Sequence, residues 1–143
     1  MPATPTKRFM NWTAVEFGTQ IFTGVTTLKW TKGGSTKVFS GDGDRMPTCI
    51  VADFTEPKAT LACADEAAVN SCPVGTRGTL IATRLDAKNY ALTGGGGLTY
   101  TGINGIITDG DVGGAHREYG EGNLSISFES SDGVTNPVST AAL

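Results

Sequence analysis

The sequence predicts a mainly β protein: an antiparallel β-sandwich or half-barrel with one short flanking α-helix and a long extended loop or hairpin arm. Apolar and polar side chains alternate along several segments, most regularly from Leu124 to Glu129. This period of two is typical of strands with one buried face. The 20 glycines favour tight turns between such strands. We expect one domain over residues 1–143, a length that allows a sizeable core.

Strands are predicted, in chain order, at residues 12–17, 20–31, 48–54, 58–63, 76–86, 98–108 and 115–129, and the alternation is described at 12–17, 20–31 and 124–129. Gly24 permits a bulge or bend within the second of these strands. The glycines at 94–97 and the DGD peptide at 109–111 are predicted to separate the last three strands. An Asp-Gly turn at 132–133 then ends the final strand before a short tail.

The single helix is predicted from Asp65 to Val69. Asp65 and Glu66 lie where negative charge stabilises a helix N-terminus, and the two alanines that follow have high helix propensity. Because Pro73 disfavours helical backbone at the residue before it, we expect about two turns. A helix this short is predicted to cover a face or an edge of the sheet.

Two segments are predicted to lie outside the packed body. Residues 1–10 are rich in proline and threonine, which indicates a flexible N-terminal arm. Residues 32–47 are polar and glycine-rich, and Val38 and Phe39 are their main candidates for packing. We expect this segment to be an extended loop or hairpin arm, and connections of this length often serve a contact.

Composition and charge argue against several classes of protein. The net charge of -3 disfavours a protein that grips nucleic-acid phosphates, because such proteins need a basic stripe. No apolar run approaches the roughly 20 residues that span a bilayer, so no membrane partner is expected. The first ten residues lack a signal-peptide pattern, which predicts synthesis in a cytosol without the usual export. Cys49, Cys63 and Cys72 form no CxxC pair and are predicted to be reduced and mostly buried.

The sequence contains no pattern that predicts a catalytic, cofactor or metal site. His116 is the only histidine, on a predicted strand, and no hydrolase or metalloprotease motif accompanies it. The acidic triplets at 42–44 and 109–111 are interpreted as turns, since the first lacks the spacing of a calcium loop. The glycines at 94–97 lack the lysine and the helix of a phosphate-binding loop. We therefore expect a protein that is not an enzyme and uses no cofactor.

The order of these features resembles that of the major tail tube proteins of tailed bacteriophages. The resemblance is carried by the opening strands at 12–31, by the glycine-rich arm through GDGDRMPT at 41–48, and by the closing GEGNLSISF at 120–128 with DGVTNP at 132–137. It covers most of the chain. The fold of that family is shared with the type VI secretion tube protein and with minor tail and tail-terminator proteins.

The resemblance implies a subunit that forms hexameric rings, which stack head-to-tail into a tube. DNA passes through the lumen of such a tube without specific binding. Further partners implied by the resemblance are sheath, tape-measure, baseplate and tail-terminator proteins. The implied location is the virion tail, after synthesis in the cytoplasm of the bacterial host.

The resemblance also assigns expected roles to two groups of residues. The first group is the arm that would reach the next ring: Lys32, Gly33, Gly34, Ser35, Thr36, Lys37, Val38, Phe39, Gly41, Asp42 and Asp44. The second group is a polar strand face that would line the lumen: Ser125, Ser127 and Glu129. Hydroxyl and carboxylate groups there would let DNA slide, because a lysine or arginine lining would gain affinity by releasing counterions. The alternation does not decide which strand face is lumenal.

Two other classes of protein stay open at this point. One is another virion protein, such as a head-decoration, head-tail joining or tail-terminator protein. The other is a carbohydrate-binding β-sandwich, which would need exposed aromatic side chains on a concave face.

Overall fold

The structure, a computed structural model, describes residues 9–87 and 97–142. Over these ranges it is mainly β and antiparallel with one short helix, which confirms the predicted fold class. The elements are β1 Phe9–Phe17, β2 Gln20–Phe22, β3 Val25–Thr31, β4 Gly34–Phe39, β5 Cys49–Thr55, β6 Lys58–Cys63, α1 Glu66–Asn70, β7 Arg77–Ala87, β8 Gly97–Gly113, β9 Glu121–Phe128 and β10 Val138–Ala142.

Eight strands form the body, in one antiparallel sheet with the order β2-β1-β7-β8-β9-β6-β3 and with β10 also paired to β8. β8 is long enough for one of its two edges to pair with two strands in succession. Residues 98–102 pair with β10, and residues 105–113 pair with β9. The two ends of the sheet approach each other, since Trp30 of β3 and Trp12 of β1 both contact Tyr100 of β8. The sheet therefore encloses a core in the manner of a half-barrel or sandwich.

The core lies on the inner face of this sheet. Its largest fully buried side chains are Phe17, Leu61, Leu80, Ile107, Leu124 and Ile126. The period of two predicted for β9 is confirmed, because its apolar residues are buried while the residues between them are exposed or half-buried. Packing is close where β8 meets β9: a Cβ atom at Gly102 would lie 2.6 Å from Cζ of Phe128. Glycine at this position lets the ring lie against the backbone of β8.

The helix α1 lies where the sequence predicts it. The carboxylate of Asp65 accepts hydrogen bonds from the backbone N–H of Ala68 at 3.2 Å and from the hydroxyl of Thr23 at 3.1 Å. Asp65 is therefore the N-cap. The helix is five residues long and shorter than the two turns predicted. Its buried residues, Ala68 and Val69, pack onto the core.

The predicted strand at 20–31 is two strands in the structure. The chain turns at Gly24, whose φ of +65° lies in the left-handed region that favours glycine. β2 pairs with β1, whereas β3 crosses to pair with β6. Gly24 therefore redirects the chain from one end of the sheet to the other.

The predicted turn at 109–111 is wrong, because these residues lie inside β8 and pair with residues 123–125 of β9. The actual connection is at 114–120, so the last long strand begins at Glu121 and not at residue 115. The acidic residues remain in the strand because their side chains are exposed to water, where a carboxylate needs no buried partner.

The predicted tail contains a strand that the sequence pattern did not indicate. β10 pairs with residues 98–102 of β8, an edge that β9 does not reach. The polar loop before it is ordered by Asp132, which accepts hydrogen bonds from the backbone N–H groups of Val134 and Thr135. Residues 1–8 of the predicted N-terminal arm and the glycines at 94–96 lie outside the described residues.

Candidate functional site

The arm is a two-stranded antiparallel ribbon that forms a sheet of its own. β4 and β5 pair from Gly34 and Thr55 at its root to Phe39 and Cys49 near its tip. Every residue of β4 is exposed, and so is every residue of β5 whose burial is described. The predicted hairpin arm is therefore confirmed.

The ribbon extends beyond the predicted arm at 32–47, because the predicted strand at 48–54 is its return strand. Sequence reasoning consequently missed Ile50, Val51 and Phe54 as arm residues. The residue types favoured in strands are the same in an arm and in a body. β-propensity reports how side chains pack on a pleated surface and does not show where in the protein the strand lies. A usable signal was the pair of similar runs on either side of the GDGD peptide at 41–44, which is typical of a hairpin.

The tip and root of the arm are defined by backbone hydrogen bonds. At the tip, the N–H of Gly41 donates to Oδ2 of Asp44 at 2.8 Å, and the N–H of Asp44 donates to the carbonyl of Gly41 at 3.1 Å. At the root, the N–H of Glu56 donates to the carbonyl of Gly33 at 3.2 Å. Gly33 has a φ of +40°, and a Cβ atom there would collide with the carbonyl of Glu56. The root therefore requires glycine.

The arm exposes several large apolar side chains. The exposed fractions are 57% for Val38, 53% for Phe39, 61% for Ile50, 43% for Val51 and 61% for Phe54. Soluble monomers rarely expose apolar side chains in such contiguous groups, and larger patches mark interaction sites. A two-stranded hairpin is also marginally stable in water by itself. The arm is therefore a candidate contact surface.

The structure places all eleven predicted arm residues on this one feature. Lys32 and Gly33 lie at the root, residues 34–39 form β4, and Gly41, Asp42 and Asp44 lie at the tip.

The three predicted lumen residues lie together on the outer face of the body. Ser125 and Ser127 are half-buried on β9, opposite Thr60 and Lys58 of β6. Glu129 follows β9 and is exposed. Because residues directly opposite each other share a face, the polar rows of β3, β6, β8 and β9 form one surface, which we call the polar face.

The polar face carries cations that the sequence analysis did not place there. Arg77 forms an ion pair with Glu129 at 3.0 Å, and Lys58 forms one with Glu56 at 3.6 Å. Its charged strand residues are Lys29, Lys58, Asp109, Asp111 and Glu121, and it is completed by Glu129 after β9 and by Arg77 of β7, which is opposite Ile106 of β8. The carboxylates therefore number four against three cations. A surface with nearly equal numbers of carboxylates and cations has little affinity for phosphates. Exposed cations that lie beside carboxylates release few counterions from DNA when it approaches.

An open cleft of about 1350 Å³ lies between the root of the arm and the body. On its wall the ring of Trp30 stacks between Tyr100 and Phe128, with ring centroids 5.5 and 5.6 Å apart. Trp12 contacts the edge of Tyr100, and the guanidinium of Arg84 lies 5.8 Å from the centre of the same ring. Nε1 of Trp30 is buried without a hydrogen-bond acceptor among the described residues. The cleft therefore lies between the arm root and an aromatic cluster at the edge of the core.

The remaining chemical groups are dispersed. Burial raises the pKa of the Cys63 and Cys72 thiols, which lie in the core, whereas Cys49 is exposed on the arm and corrects the expectation for that residue. His116 is exposed on the 114–120 connection and not on a strand. Within residues 9–87 and 97–142, no three potential metal ligands come together. No helix in those ranges has the length and hydropathy to cross a membrane.

The likeness of the chain to known proteins is limited. No family model matches the chain, and no curated protein matches it. Among solved structures, a chain of "Cryo-EM structure of the anti-feeding prophage (AFP) baseplate, 6-fold symmetrised" is similar, with a TM-score of 0.45 and 10% identity. The alignment covers 99% of this chain and 96% of that chain.

Proposed function

We propose that this chain is a structural, non-enzymatic subunit of a phage-type tail, and specifically a tube subunit that forms stacked hexameric rings. The observation that carries the proposal is the group of five exposed apolar side chains on an arm that forms a sheet separate from the body. The resemblance of the sequence to major tail tube proteins supplies the type of assembly.

The arm supports contact between copies through its geometry. It projects from one subunit, and the five apolar side chains that it exposes gain stability when they are removed from water. A contact between the arm of one copy and a different surface of the next is heterologous, and such contacts propagate into rings or filaments. Stacked rings are the form of propagation that the family resemblance implies.

The polar face supports a DNA channel through its chemistry. Its hydroxyl groups and four carboxylates surround cations that are mostly paired, so DNA phosphates would meet little net attraction. Ser125, Ser127 and Glu129 are the proposed lumenal residues on this surface.

The proposal is tested by removing the arm without disturbing the body. A deletion limited to residues 32–44 would remove β4 and leave β5 without its strand partner, so it would not be a clean removal of the arm. We suggest replacing residues 35–54 with an Asn-Gly turn, since Gly34 and Thr55 are already paired. The purified wild-type protein is expected to form tubes as its concentration rises, and the shortened variant is expected to remain as folded subunits or short rings in negative-stain microscopy.

The outcomes separate the candidate functions. Tubes of normal length from the shortened variant would overturn the role of the arm. Wild-type protein that forms only single rings would favour a head-tail joining or head-decoration protein. A wild-type monomer at every concentration would overturn self-assembly, and glycan binding by that monomer would favour a carbohydrate-binding sandwich.

A further inference from the structure

We infer that both faces of the arm are buried in the assembly, so that each arm lies between two other copies of this chain. The inference rests on the proposed function and adds to it the number of surfaces that one arm contacts. It follows from the distribution of apolar side chains over the two faces of the ribbon.

The register of the ribbon assigns each apolar residue to a face. Residues directly opposite in an antiparallel pair point to the same side, and neighbours along a strand point to opposite sides. Val38 is opposite Ile50, so these two share the first face. Phe39 is opposite Cys49, and Lys37 is opposite Val51, so Phe39 and Val51 share the second face.

The bulge between Ser35 and Thr36 has to be taken into account when the aromatic side chain nearest the root is assigned to a face. Beyond this bulge Ser35 is opposite Phe54, which therefore joins the second face. Both faces consequently expose large apolar side chains, with exposed fractions of 43% to 61%.

A ribbon that packs on one surface is expected to be polar on its other side. Antiparallel sheets with one face in water show a polar row there, as β9 does with Ser125 and Ser127. Neither face of the arm is polar throughout: Thr36 shares the first face with Val38 and Ile50, and on the second face Ser35 and Lys37 lie opposite Phe54 and Val51. The pattern is therefore that of a strand pair covered on both sides.

The area of the arm explains why the covering molecules are further copies. A face of two six-residue strands measures about 20 Å by about 10 Å, or roughly 200 Å². A stable pairwise interface needs about 800 Å² from each partner, so one face cannot hold a dimer. When the same small contact is repeated around a ring, each further contact forms within an assembly that already exists. Such contacts are effectively intramolecular and reinforce one another. Copies of the chain that carries the arm provide this repetition.

The experiment compares variants that make one face polar at a time. The first pair is Val38→Thr with Ile50→Thr, and the second is Phe39→Thr with Val51→Thr. Threonine retains β-propensity, so the ribbon is preserved while its apolar area falls. Val74→Thr is the matched control, because Val74 is 66% exposed and lies outside the arm.

Each face variant is expected to raise the protein concentration needed for assembly by about tenfold or more, since each one removes apolar area from a face that the inference buries in the assembly. Light scattering measures that concentration, and urea unfolding of the subunits checks that each variant folds. Assembly of either face variant at the wild-type concentration would overturn the inference and leave the proposed function intact. An equal rise for the Val74 control would also overturn it, whereas failure of the wild type to assemble would instead overturn the proposed function.

Discussion

Strands β9 and β5 show that apolar strand residues can have two different environments. Both strands contain β-branched and aromatic residues, yet β9 buries every second side chain and β5 buries none that the structure describes. β9 lies between β8 and β6, and the opposite half of the body covers its inner face. β5 has β4 as its strand partner. The difference shows that the neighbouring strands decide whether an apolar side chain is buried in the subunit or remains exposed.

The comparison has an energetic consequence. Apolar burial contributes about 1.5 to 3 kcal/mol for each fully buried aliphatic side chain, but only when that side chain leaves water. In β9 this gain is realised within one chain. Under the proposed function the arm makes this gain only on association, so the stability of the subunit and the stability of the assembly would depend on different residues.

The largest expected contrast concerns the cysteines. Cys49 on the arm is expected to react with a thiol reagent at the rate of a free cysteine, while Cys63 and Cys72 react only when the body opens. Opening a stable domain costs about 5 to 15 kcal/mol, which predicts at least about a thousandfold slower labelling. Burial also raises the pKa of both core thiols and lowers their thiolate fraction further.

Mass spectrometry of the labelled protein over time measures this contrast, and denatured protein provides the control in which all three thiols react alike. Comparable labelling of Cys49 and Cys63 in the native subunit would contradict the separation of arm and body. Protection of Cys49 on assembly would sharpen it.

A second contrast compares two isoleucines. Ile126→Ala in β9 is expected to lower the free energy of unfolding by about 2 to 5 kcal/mol, because Ile126 is fully buried and leaves a cavity. Ile50→Ala on the arm is expected to change it by less than about 0.5 kcal/mol, as surface substitutions usually do. Urea unfolding of the unassembled subunit measures both, and equal losses would show that the arm packs on its own body.

The smallest expected effect concerns close packing inside the body. Gly102→Ala is expected to destabilise the subunit by about 1 to 3 kcal/mol, since the new methyl group would displace the ring of Phe128. Gly113→Ala is the matched control at the far end of β8, where no atom lies within 4 Å of the added Cβ. Thermal unfolding compares the two, and a stable Gly102 variant would show that Phe128 has room to move.

The sequence predicted the local features with good accuracy. β6 has the predicted bounds, and α1 lies within one residue of its predicted position, because two acidic residues followed by two alanines favour a helix N-terminus. The DGD peptide at 109–111 misled the prediction because its composition favours a turn in isolation. In the folded chain β9 pairs with this peptide, and ladder hydrogen bonds outweigh the local preference.

The candidate site was predicted in part. The arm was recognised from its polar β4 half, but its apolar return strand was not, since an exposed strand of this kind resembles a core strand in sequence. The polar face was recognised from Ser125 and Ser127, whereas Lys58 and Arg77 joined it only through pairing with distant strands.

The sequence alone determined the β character, the positions of most strands, the position of the helix and the presence of an arm, because these depend on residues within a few positions of one another. The tertiary structure alone decided which strands pair, which apolar faces are covered, and that residues 49–55 leave the body with the arm. Pairing depends on contacts between residues far apart in the chain, and identical local patterns satisfy many such pairings until the whole sheet has formed.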